Sequence, residues 1–168
     1  SGAHFFFGAL AEDAAAEAVM RLYFLAGDSG ELCTVPGAFA PVESLYKQHV
    51  WLPDGRVIYV DGQGKIILLS PCSDQGIDLS EHMPEPFTMI GAYAPETGRL
   101  LLQGDQSYWL LDGLASGAEP ALRQITGVAP NPYDLHWDTF AWLPGGEEVV
   151  ISHLNGRDAS GGSTLYLA

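Results

Sequence analysis

Basic residues are scarce in this chain. Seven Lys and Arg stand against 21 Asp and Glu, giving a formal net charge of −14. Binding to a phosphate backbone depends on Lys and Arg neutralising it, so no nucleic-acid partner is expected. Acidity of this kind usually marks a well-solvated surface, and its sharper reading is a protein partner with a basic surface or a cation. Long apolar runs are also lacking. The run from Phe5 to Leu10 falls far short of the roughly 20 residues that cross a bilayer, so no membrane is expected.

Cysteine is limited to Cys33 and Cys72, 39 residues apart, too few for the disulfide framework of a secreted miniprotein. Two buried or half-buried thiols are expected. Without a C-x-x-C motif there is no zinc or redox motif of that type, and no cofactor is expected. Neither a glycosylation sequon nor a basic region leading into an apolar stretch is present, so no signal peptide is visible. A cytoplasmic setting is expected, with the periplasm or secretion as the alternative if a leader has been removed.

The 168 residues, 47% hydrophobic and 17% charged, suit one globular domain with a core. Three segments share a grammar of aromatic, one residue, Pro, a short turn and a β-rich run. They begin at Trp51-Leu52-Pro53, Tyr93-Ala94-Pro95 and Trp142-Leu143-Pro144. The aromatics lie 42 and then 49 residues apart, near the roughly 40–50 residues of a four-stranded propeller blade. Pro fixes φ at the first corner, and Asp-Gly or Gly-Gly supplies positive φ for a tight hairpin. Polar turns then lead to Lys65–Leu69, Tyr108–Leu111 and Thr164–Leu167 as following strands. Their nearly continuous apolar character suits strands covered on both faces.

The first 45 residues enter this frame part-way. His4–Phe7, Arg21–Leu25 and Leu32–Val35 read as the second, third and outermost strands of a blade. Ala11–Ala18 is helical on propensity and reads as a loop insertion with at most one or two helical turns, the alternative being a helix packed on a sheet. The blade parts run approximately 4–36, 46–80, 86–127 and 136–168. The first blade lacks its innermost strand and the last its outermost one. The fold class expected is therefore all-β: antiparallel four-stranded propeller blades forming an incomplete or half propeller, completed by a longer parent, another copy or another chain.

Trp51–Val60 followed by Lys65–Leu69 resembles the WD-repeat-like blades of TolB-type β-propellers, and Arg21–Leu25 resembles the third strand of such a blade. The resemblance covers about three and a half blades and implies architecture far more than activity, because one fold hosts many functions. It implies a non-catalytic protein-interaction or sensor module. The alternatives are a propeller hydrolase or lyase with a channel site, and a gating domain of a larger peptidase.

Few residues suggest chemistry. His136, Asp138 and His153 form the densest cluster of metal or acid–base types, and His49 occupies an equivalent inner-strand position in another blade. His49, His136 and Asp138 would converge on a central channel. Their spacing has no specific metal signature, and hydrogen-bonded linker or channel roles are the preferred reading. Trp137, beside His136, is the tryptophan expected to be exposed, whereas Trp51, Trp109 and Trp142 read as blade packing. Gly27-Asp28-Ser29-Gly30 matches part of a serine-protease signature but reads as a hairpin turn. Asp54, Glu96, Asp105, Asp112 and Asp158 read as turn carboxylates rather than a glycosidase pair.

Overall fold

The computed structural model describes residues 4–12, 18–40, 49–61, 63–73, 76–80, 84–114, 120–130, 139–154 and 163–168. Every element among them is a β-strand, and none is a helix. The strands form four antiparallel sheets, the first and last three-stranded and the middle two four-stranded.

The first sheet comprises β1 (His4–Glu12), β2 (Ala18–Ala26) and β3 (Leu32–Ala40). The second comprises β4 (His49–Trp51), β5 (Val57–Val60), β6 (Ile66–Leu69) and β7 (Ile77–Asp78). The third comprises β8 (Phe87–Ala94), β9 (Arg99–Gly104), β10 (Tyr108–Asp112) and β11 (Ala121–Ile125). The fourth comprises β12 (Thr139–Trp142), β13 (Val149–Leu154) and β14 (Ser163–Leu167). Each sheet is a meander in which consecutive strands pair.

Each aromatic-x-Pro segment lies at the hairpin joining the first two strands of its sheet. After β4, Leu52 N–H donates to Arg56 O and Gly55 N–H to Leu52 O, with Gly55 at φ 85°. That left-handed value strains any residue with a Cβ, which is why the corner ends in glycine. After β12, the corresponding bonds run from Leu143 N–H to Glu148 O and from Gly146 N–H to Leu143 O.

The first three strands are longer than their apolar runs suggest. Glu12 is paired with Ala18, so Ala11, Glu12 and Ala18 belong to strands and not to a helical insertion. Residues 13–17 lie outside the described residues. Helix propensity yields here because pairing with β2 supplies cross-strand backbone hydrogen bonds along the hairpin.

The chain divides into two compact units, Ser1–His82 and Met83–Ala168. In the first, Leu22, Phe24 and Val35 of the first sheet pack on Val57, Tyr59 and Leu69 of the second. In the second, Leu101, Tyr108, Leu110 and Ile125 of the third sheet pack on Val149 and Ile151 of the fourth. The two cores therefore repeat one sheet-on-sheet arrangement. Pairs such as Val57 and Ile58 point to opposite faces and are both fully buried, which explains the continuous apolar runs. No described helix is long and apolar enough to cross a membrane.

Cys33 and Cys72 are not thiols. They form a disulfide with a Cα–Cα separation of 5.3 Å, linking β3 to the turn after β6. Sequence separation hides this pairing because packing of the first sheet on the second brings the residues together.

Candidate functional site

The described polar groups with the most unusual settings gather in the second unit, around the β9–β10 hairpin. Gln103 ends an apolar run, Leu100-Leu101-Leu102, and is paired with Tyr108 across the hairpin. Directly opposed residues share a face, so Gln103 lies on the face that carries Leu101, Tyr108 and Leu110 toward the fourth sheet. Its carboxamide is fully buried, and among the described residues neither its oxygen nor its nitrogen has a hydrogen-bond partner.

On the same face, the buried Tyr108 hydroxyl lies 2.9 Å from His153 Nε2 on β13. Phe140 packs edge-on to Tyr108 at 5.7 Å, and Tyr166 lies 4.9 Å from the His153 ring. The imidazole is thus enclosed by aromatic groups and bonded to a phenol. This geometry suits a polar lock between two sheets.

The outer corner of the hairpin is held by Glu85. Its carboxylate accepts bonds from Trp109 Nε1 at 2.7 Å and from the Gln106 amide at 3.1 Å. A Cβ at residue 104 would come within 2.5 Å of Glu85 Oε1, so glycine leaves the carboxylate room to take up this position. Further along the sheet, Arg99 binds Asp112 at 2.7 Å and Glu147 at 2.5 Å, joining the third sheet to the β12–β13 turn. Hydrogen bonding to Glu147 is the main cause of the raised Arg99 pKa.

In the first unit, His49 opens β4, and its ring packs 4.9 Å from Phe6. Partial desolvation there lowers its pKa below the ordinary value. Tyr59, buried in the core, has its pKa pushed up to about 12, first by desolvation and then by the Asp61 charge. Glu31, Cys33 and Cys72 bring ligand-type atoms within 4.8 Å of one another, but the sulfurs are committed to their own bond.

Of the residues singled out from sequence, His49 belongs to the first unit and His153 to the second. His136, Trp137 and Asp138 lie outside the described residues, as does Asp158. Two of the carboxylates read as turn groups, Asp54 and Asp112, are in ion pairs. Asp54 accepts from the Arg56 amide at 3.0 Å and from its guanidinium, and Asp112 pairs with Arg99. Asp28 and Ser29 cap the β2–β3 turn through bonds to the amides of Ser29 and Glu31, as a hairpin reading of that segment requires. Trp51 and Trp142 pack against the two cores.

Sequence reasoning missed Gln103, Tyr108 and Glu85. The available signal for Gln103 was a polar residue at the core-facing position that follows Leu101 by two residues. No family model, no curated protein and no solved structure matches the chain.

Proposed function

We propose that this chain is a non-catalytic protein-interaction module built from WD-repeat-like propeller blades, completed by further blades supplied from outside these 168 residues. The repeated antiparallel meander of three or four strands supports the blade reading, as do the aromatic-x-Pro corners at one hairpin position and the repeated sheet-on-sheet cores.

The observation that carries the interaction reading is apolar exposure on the first and fourth sheets. Phe5 is 55% exposed, Leu165 67% and Leu167 62%, in a chain otherwise rich in carboxylates. Large apolar side chains exposed together on one sheet face, as Leu165 and Leu167 are, suit an interaction site. For a partner other than another copy of this chain, the net charge of −14 favours a basic surrounding surface. The Cys33–Cys72 bridge supports an oxidising compartment, periplasmic or extracellular, in place of a cytoplasmic one.

The test is affinity capture with the wild-type chain and with a Phe5→Ser/Leu165→Ser double variant as baits. The proposal expects proteins retained by the wild type to be lost from the folded variant, and their retention to fall with added salt. Identical capture by both baits counts against it, as does a hydrolytic or lyase activity that disappears on His153→Ala with folding intact.

A further inference from the structure

The end sheets differ from the middle ones in a specific way. The inward face of the first sheet, with Leu22 and Phe24, meets the second sheet's Val57 and Tyr59. The third and fourth sheets repeat this, Tyr108 and Leu110 meeting Val149 and Ile151. In each pair a trailing face of the earlier sheet covers a leading face of the next.

This scheme leaves one further face on every sheet; the second and third sheets are nevertheless buried on both faces, whereas the first exposes Phe5 and Leu32 and the fourth Leu165 and Leu167. Register places Phe5, Phe7, Tyr23, Leu25 and Leu32 together on the outward, leading face of the first sheet. It places Thr139, Ala141, Val150, Ser152, Leu165 and Leu167 on the outward, trailing face of the fourth. Among the described residues, alternation puts one carboxylate on the fourth-sheet face, Glu148 at its turn end, and Arg21 is the one charged group on the first-sheet face. A contact between the two faces would therefore set no carboxylate against another among the described residues. The faces are also the two halves of a contact that the chain already makes twice within itself.

We infer that these two faces form a head-to-tail contact between copies of this chain, the fourth sheet of one copy packing on the first sheet of the next. The inference rests on the interaction-module reading and names the partner as a second copy. Such a contact is heterologous, joining different patches on the two molecules.

The experiment is analytical ultracentrifugation of the wild-type chain, of Phe5→Glu, of Leu165→Glu, and of the two variants mixed. Both substituted side chains are exposed, and circular dichroism and thermal melting establish that each variant is folded. The wild type is expected to form dimers or larger species with increasing concentration, while each variant alone stays monomeric. The mixture is expected to recover a 1:1 complex, because Phe5→Glu keeps an intact fourth-sheet face and Leu165→Glu an intact first-sheet face. A monomeric wild type, or a mixture that stays monomeric, overturns the inference. A monomeric wild type that still captures a foreign protein through these faces overturns the second-copy partner and leaves the interaction reading standing.

Discussion

The Tyr108 hydroxyl and His153 Nε2 meet at 2.9 Å between the third and fourth sheets, both side chains buried. A buried bond of this kind is costly to break from one side, because the remaining polar group stays desolvated. Tyr108→Phe is expected to lower stability by about 1–3 kcal/mol. A double-mutant cycle with His153→Phe should return a coupling of about 0.5–3 kcal/mol in urea unfolding. Additive effects would show that the contact carries no energy.

Gln103 predicts the opposite sign. Its carboxamide is buried with no partner among the described residues, a cost of about 1–3 kcal/mol on protein scales. Gln103→Met keeps length and flexibility while removing both polar atoms, so it is expected to raise the unfolding midpoint. A loss of stability would mean that the amide is satisfied in solution, by bound water or a ligand.

The Glu85 corner tests a close approach. Gly104→Ala forces the carboxylate away and sacrifices its bonds to Trp109 and to the Gln106 amide. The expected cost is about 1–3 kcal/mol, with changed tryptophan emission as Trp109 loses its acceptor. Unchanged emission and stability would contradict this geometry.

How much of this was legible in the sequence depended on range. Trp51-Leu52-Pro53-Asp54-Gly55 announces its hairpin because turn chemistry is local, and β5 and β6 follow from Val57–Val60 and Ile66–Leu69 by their apolar β-branched character. The extension of β1 to Glu12 was hidden by Ala-rich propensity, which strand pairing overrides. The Cys33–Cys72 bond and the Tyr108–His153 contact arise only when one sheet packs on another, and no local signal encodes that.

The disulfide gives a prediction confined to one unit. Closing a loop across 39 residues stabilises by about 2–4 kcal/mol. Reduction, or a Cys33→Ser/Cys72→Ser variant, is expected to lower the transition of the first unit and leave that of the second in place. Hydrogen exchange resolved by peptide separates the two. Equal destabilisation of both units would contradict the prediction.

Tyr59 sets an alkaline limit on the first unit. Its folded pKa of about 12 lies above the ordinary 10.0, so between those values the unfolded chain loses a proton that the folded chain keeps. The stabilisation is complete below pH 10 and is lost as pH rises toward 12, by about 2–3 kcal/mol. Tyr59→Phe should flatten that decline in denaturation measured against pH. An undiminished decline would assign it to other groups.

The central claim is that the outward faces of the first and fourth sheets are where this chain meets other protein. Hydroxyl-radical footprinting of Phe5, Phe7, Leu165 and Leu167 tests it most directly, comparing the dilute chain with its assembled state. The account predicts strong labelling of all four in the dilute chain and marked suppression on assembly, with the core residues Phe24 and Tyr108 weakly labelled throughout. Labelling of the four that is equally strong in both states would contradict it.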